Sequence, residues 1–189
     1  MKRLYLVRHG ETDWNATGRL QGSTDVPLNE RGRAQALALA AQLSHHGVER
    51  VFTSDLSRAR ETGSIIAAHL HLAEPAVEAD LRERRFGVFE GLTRDEIAHR
   101  YPVEWRAWHD KTVMPEGGEA RDASVARLAA ALDRVWEQTV GTTLVVSHGG
   151  IMRLWLSELA GYLVPNIPNG ATFVVERRGS VFHAQALRA

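Results

Sequence analysis

Two short apolar runs lie near opposite ends of the chain, Leu4-Tyr5-Leu6-Val7 and Thr143-Leu144-Val145-Val146, and each leads straight into a histidine motif. The first continues as Arg8-His9-Gly10-Glu11, the second as Ser147-His148-Gly149-Gly150. Packing alone gives no reason for a histidine at the end of two such β-type runs. In an open α/β sheet the carboxyl ends of the strands border the ligand crevice. If both runs are strands of one sheet, two imidazoles and an arginine meet there. That grouping suits an anion, and phosphate above all.

The rest of the chain reads as further strands and helices in alternation. Val51-Phe52-Thr53 is a short strand and Val77 lies in an extended piece near Pro75. Helices are predicted over Glu30–Leu43, capped by Asn29 and ended by Gly47, over Ser57–Leu70, over Asp122–Val140 and over Ile151–Leu159. In the third of these, Val125, Leu128, Leu132, Val135 and Trp136 share one face. Ala171–Val175 and Val181–Ala186 form a closing strand pair, with Phe173-Val174-Val175 at a sheet edge where a second subunit could pair. Asn15–Pro27 is a long polar loop, a length that usually carries function. Short helices Arg94–Arg100 and Trp105–Asp110 around Pro102, followed by a turn over Met114–Glu119, make residues 92–119 a candidate lid. The expected fold is α/β. It is a three-layer sandwich with a mostly parallel central sheet flanked by helices, one domain over residues 1–189 with a small lid insertion.

Bulk properties narrow the function classes. A chain of 189 residues fits one domain. Lys plus Arg and Asp plus Glu are balanced at 23 each, so no global field favours nucleic acid or a membrane surface, and any basic site must be local. The absence of cysteine excludes thiol catalysis, zinc-thiolate sites and disulfide scaffolds. Leu4–Val7 is too short for a signal-peptide core and no segment reaches membrane-span length, so a soluble cytoplasmic protein is the default expectation. His45-His46 and His69 with His71 lack the i, i+4 spacing of a helical metal pair and read as surface histidines. No metal or cofactor is expected.

Four motifs in order carry a resemblance. Arg8-His9-Gly10-Glu11-Thr12, Ser54-Asp55-Leu56-Ser57-Arg58-Ala59, Leu81-Arg82-Glu83 with Phe86-Gly87 and Glu90-Gly91, and Ser147-His148-Gly149-Gly150 resemble the histidine phosphatase superfamily, in the branch of phosphoglycerate mutases and their phosphatase relatives. The likeness runs from the N-terminus through about Leu159. A lone Arg-His-Gly is a weak signal, whereas four ordered motifs are specific. The resemblance implies that His9 is a nucleophile that becomes a phosphohistidine. Arg8 and Arg58 would offer planar donor forks to the phosphoryl oxygens, with a protonated His148 as a further donor. Glu83 would give a proton to the leaving alcohol and later activate water. Asn15, Gln21 and Gly149 would bind substrate. Without the motif, Glu83 in the charge run Arg82-Glu83-Arg84-Arg85 would read as solvated, and Asn15 as a turn cap. The chain departs from the family's phosphatases at Gly117-Gly118-Glu119-Ala120, where they often read Gly-Gly-Glu-Ser.

The resulting expectation is a metal-independent phosphomonoesterase acting on a small phosphorylated metabolite. Its rival is a 2,3-bisphosphoglycerate-dependent phosphoglycerate mutase, and a third reading is a non-catalytic phospho-ligand binding module. The short stretch between Gly91 and Gly118, and the motif His148-Gly149-Gly150 where mutases tend to carry Asn-Ser after the His-Gly pair, favour the phosphatase.

Overall fold

A computed structural model describes residues 2–109 and 113–187. Six strands form one sheet: β1 (Arg3–Arg8), β2 (Val48–Thr53), β3 (Ala76–Val77), β4 (Thr142–Ser147), β5 (Thr172–Arg178) and β6 (Val181–Ala186), in the order β3-β2-β4-β1-β5-β6. The pairs β1–β4, β2–β4 and β2–β3 are parallel; β1–β5 and β5–β6 are antiparallel. Parallel pairing brings the carboxyl ends of β1, β2 and β4 to the same edge of the sheet. The expected α/β architecture is therefore present, with an antiparallel pair closing one side.

The central strands are buried on both faces, and their side chains divide by parity. Leu4, Leu6, Phe52 and Val145 join one apolar cluster, beneath α6 (Arg121–Gln138) and α7 (Gly149–Ala160). Tyr5, Val7, Val51, Leu144 and Val146 join the other, beneath α2 (Glu30–Leu43) and α3 (Ser57–His69). The helices form where the chain supplies a cap and a periodic apolar face. Asn29 accepts from Gly32 N at 2.8 Å and starts α2 at the predicted residue. On α6 the residues Val125, Leu128, Leu132 and Val135 are buried, and Trp136 packs edge-on against Phe182.

Four local expectations are corrected. Asn15 does not lie in a loop: Thr12 and Asn15 form a capping box that starts a one-turn helix, α1 (Asp13–Ala16). The helix predicted from Trp105 begins at Pro102 as α5 (Pro102–His109), directly after α4 (Arg94–Arg100), because proline suits the first helical position; its predicted end at Asp110 lies outside the described residues. Helix α7 begins at Gly149, two residues before the expected start. The run Phe173-Val174-Val175 is not an edge, because β5 is paired on both sides and β6 is the outer strand. A second subunit cannot pair with that run.

A third, smaller apolar cluster joins residues 86–108 to Leu20. Phe86, Phe89 and Ile97 are buried there, packed by Leu20, Tyr101, Trp105 and Trp108. This cluster accounts for two of the tryptophans as packing residues. It is joined to the loop after α1 by Arg19, which pairs with Glu96 at 2.6 Å, and by backbone bonds from Gly91 N to Leu20 O and from Leu20 N to Leu92 O.

The departure at Ala120 has a structural meaning. Ala120 is the N-cap of α6, with φ −58° and ψ 143°, exposed, and without a capping side chain. A serine there would supply the missing acceptor for an orphan N–H of the first turn. Ala120→Ser should stabilise the protein by about 1 kcal/mol and raise the thermal midpoint by roughly 2–4 °C. Calorimetry showing no increase would rule out this reading of the cap.

Candidate active site

Three strand ends are stitched together at the sheet's carboxyl edge. His9 N donates to Ser147 O at 3.0 Å, and Ser54 N donates to Val146 O at 3.2 Å. His9, Ser54 and His148 thus leave β1, β2 and β4 side by side. The rings of His9 and His148 lie 5.0 Å apart between centroids. Gly10 and Gly32 let the first turn of α2 press on this junction: a Cβ on Gly10 would lie 2.4 Å from Gly32 O. Thr62 on α3 accepts from Gly10 N at 3.0 Å and donates to Arg58 O at 2.7 Å, linking the His9 turn to α3.

His9 is 2% exposed. Its Nδ1–H donates to Gly10 O at 2.6 Å, which fixes the tautomer and leaves a lone pair on Nε2. Burial, with Arg58 and Arg8 nearby, holds the ring well below the ordinary histidine range. His9 is therefore a neutral imidazole at physiological pH.

The two arginines are held by carbonyls. Arg58, 0% exposed, donates from Nη1 to Thr24 O at 2.9 Å and from Nη2 to Gly22 O at 2.8 Å. Arg8 donates from Nη1 to Ile167 O at 2.5 Å. The Nε of each is buried and has no hydrogen-bond partner. Burial lowers both pKa values, that of Arg58 to about 10, so both remain cations. The carbonyls that hold Arg58 are themselves fixed by Glu90, which accepts from Ser23 N, Thr24 N and Thr24 Oγ1 at 3.0, 3.0 and 2.6 Å. Burial tends to raise the Glu90 carboxyl, but these donors and Phe86 N outweigh it and hold it below the usual carboxylate range.

His148 is fully buried, with Nε2 2.7 Å from Ser54 Oγ and Nδ1 without a partner. The protonated form expected from the sequence is corrected. Burial, then Arg58, His9 and Arg8, push this ring well below the ordinary histidine range, so among the protein's own groups it is neutral. Only an added negative charge would favour its protonation.

Glu83 is 8% exposed, despite its charged neighbours. Its carboxylate accepts from Gly150 N and Ile151 N, both at 2.7 Å, at the start of α7, and from Arg84 N at 2.8 Å. The two glycines explain the closeness. A Cβ on Gly150 would lie 2.7 Å from Glu83 Oε1, and one on Gly149 would lie 2.8 Å from Arg8 Nε. A side chain at either position would displace Glu83 or Arg8.

Asn15 and Gln21 both border this region through Thr12. Asn15 Oδ1 accepts from Thr12 N at 3.2 Å, and Gln21 Oε1 accepts from Thr12 Oγ1 at 3.0 Å. Both carboxamide oxygens are engaged internally, which leaves their NH2 ends available. Glu11 accepts from Asn29 Nδ2 at 3.1 Å and pairs with Arg31 at 3.4 Å, so it braces the start of α2.

Sequence reasoning missed Ser54, Thr62 and Asn169. Ser54 and Thr62 lie in or next to a recognised motif, so a hydroxyl facing the neighbouring histidine and glycine could have been sought there. Asn169, standing before Gly170, carries in the sequence no more than the signal of a turn. Its Nδ2 donates to His9 O at 3.0 Å and to Asn15 Oδ1 at 3.1 Å. Among the described residues, no group of three or more His, Asp or Glu side chains is placed to hold a metal ion. No helix among them is long and apolar enough to cross a membrane.

The chain is similar to known proteins along most of its length. It is 40% identical to phosphoglycerate mutase-like protein 4 of Arabidopsis thaliana, over 79% of this chain and 67% of that protein. It is 39% identical to a metal-independent phosphoserine phosphatase of the same plant, over 79% of this chain and 65% of the relative, so the match spans about two thirds of these relatives' own length. Among solved structures it superposes on mycobacterial glucosyl-3-phosphoglycerate phosphatase with a TM-score of 0.83 at 28% identity, covering 98% of this chain and 97% of the other. Residues 4–187 match the family described as histidine phosphatase superfamily (branch 1), and the chain belongs to that superfamily.

Proposed function

We propose that this protein is a metal-independent phosphomonoesterase that hydrolyses a small phosphorylated metabolite through a phosphohistidine on His9. One observation carries the reading. Arg8 Nε, Arg58 Nε and His148 Nδ1 are buried polar atoms without partners, on the three side chains that surround His9. Buried polar atoms left unpaired are costly; a phosphoryl group beside His9 would accept from the two Nε–H groups, and from His148 when Nδ1 carries the proton.

The chemistry proceeds in two balanced steps. His9 Nε2 attacks phosphorus, the phosphorus–oxygen ester bond breaks, and the leaving alkoxide takes a proton from Glu83. Water then attacks the phosphohistidine and gives a proton to Glu83; the phosphorus–nitrogen bond breaks and orthophosphate departs. Arg8 and Arg58 face the equatorial oxygens, where charge spreads in the transition state. If Ser54 donates to His148 Nε2, Nδ1–H becomes a further donor. Asn15 and Gln21 present NH2 ends, and Gly149 lets Arg8 lie against the start of α7. The aromatic cluster around Phe89, Trp105 and Trp108 would shape the leaving-group side. A phosphatase must admit water to the intermediate, which a mutase must exclude.

The mutase remains the second reading, favoured by the likeness to a phosphoglycerate mutase-like protein. Gly150 speaks for the phosphatase. Mutases tend to carry an asparagine at this position, whereas here a side chain would displace the Glu83 carboxylate. The non-catalytic reading is weakened by the neutral His9, whose free Nε2 a mere binding module does not need.

Three outcomes are expected. Given 3-phosphoglycerate and 2,3-bisphosphoglycerate, the enzyme should release orthophosphate with little isomerisation; rapid isomerisation without phosphate release would establish the mutase. Neutral or alkaline quenching during turnover should trap an acid-labile phosphoenzyme in the wild type and none in His9→Ala, by intact-protein mass spectrometry. Phosphate retained on the variant would remove His9 as nucleophile. Glu83→Gln should lose on the order of 100-fold in kcat on alkyl phosphates and much less on p-nitrophenyl phosphate, whose leaving group hardly needs a proton. Equal losses on the two substrates would contradict proton donation by Glu83.

A further inference from the structure

A carboxamide offers donors at one end and acceptors at the other. Which end of Asn15 faces an anion therefore decides whether it attracts or repels. Two main-chain groups fix that polarity. Thr12 N–H, which can only donate, meets Asn15 Oδ1 at 3.2 Å. The His9 carbonyl, which can only accept, meets Asn169 Nδ2 at 3.0 Å. Between them, Asn169 Nδ2 also donates to Asn15 Oδ1 at 3.1 Å. Asn15 Oδ1 thus receives two hydrogen bonds, and its own NH2 is the end left for a ligand.

Asn169 reaches this place because the segment before β5 folds back onto the end of β1. Gly170 N donates to Arg8 O at 3.0 Å, Arg8 N donates to Ala171 O at 3.1 Å, and Ile167 O holds the Arg8 guanidinium. Gly170 has φ +76°, which turns the chain directly after Asn169. One short segment from the far end of the chain therefore touches Arg8, His9 and Asn15 together.

We propose that Asn169 is a positioning residue that locks the Asn15 carboxamide with its NH2 toward the phosphoryl oxygens. The proposal rests on the reading of this crevice as a phosphoryl site. Without Asn169, Asn15 Oδ1 keeps a single donor, and the terminal amide can rotate to present oxygen to the anion. An aspartate at position 169 has the same shape but sets an acceptor against two acceptors, His9 O and Asn15 Oδ1.

The test is a double-mutant cycle read by inorganic phosphate binding in isothermal titration calorimetry, with thermal midpoints recorded for each variant. Asn15→Ala and Asn169→Ala should each weaken phosphate binding about ten-fold. The double variant should lose little beyond either one, because the two act through the same contact. Asn169→Asp should bind at least as weakly as Asn169→Ala, and it takes the place of alanine in the cycle if that variant fails to fold. Multiplied losses of about 100-fold in the double variant, or wild-type binding by Asn169→Asp, would overturn the role of Asn169 alone. Failure of the wild type to bind phosphate would overturn both readings. Phosphate binding with the expected coupling but without ester hydrolysis would sink the phosphatase and uphold Asn169.

Discussion

Everything at the crevice depends on two guanidinium groups, Arg58 buried and Arg8 half-buried, held by carbonyl oxygens instead of carboxylates. Among the described residues, neither Arg8 nor Arg58 has an acidic side chain within ion-pair distance; their direct partners are Ile167 O, Thr24 O and Gly22 O. Removing a charge from water costs several kcal/mol even after relaxation. Main-chain dipoles offset part of that cost without neutralising the cation. Burial first, and the remaining positive potential with it, keep both histidines neutral, and that potential is available to an incoming anion. A carboxylate in contact would have stabilised the arginines more and competed with the ligand.

The scaffold spends several of its side chains on this arrangement. Glu90 fixes Gly22 to Thr24, so that their carbonyls face Arg58. Thr62 ties the turn after His9 to the helix that carries Arg58. Gly149 and Gly150 let Arg8 and Glu83 lie against the start of α7, and Glu83 takes the N–H groups that the helix leaves unpaired there. None of these contacts adds chemistry of its own. Each removes freedom from a group that must be aimed.

Elements governed by local rules were legible in the chain. Asn29 and the apolar period of Glu30–Leu43 specify α2 residue for residue, because capping and periodicity act over a few positions. The sheet's parallel core followed from two apolar runs ending in histidine. Legibility failed where long-range pairing decides. Phe173–Val175 reads as well for an edge as for an interior strand, and only pairing with β1 and β6 chooses. Glu83 and Arg84 lie in a charge run that looks solvated, yet both are buried, Glu83 because the start of α7 arrives beside it from far along the chain and Arg84 because it lies against Phe86 and Met114.

The sequence alone determined the fold class, the family and the identity of His9, Arg8, Arg58, Glu83 and His148 as candidates, since motifs and periodicity are written in consecutive residues. Tertiary structure alone decided how those groups are charged and aimed. The neutrality of His148, the carbonyl cage of Arg58 and the polarity that Asn169 imposes on Asn15 arise between segments remote in sequence, while the tautomer of His9 is set by the adjacent Gly10 carbonyl once the turn has folded. Burial and hydrogen-bond direction are properties of the assembled neighbourhood, and no residue carries them by itself.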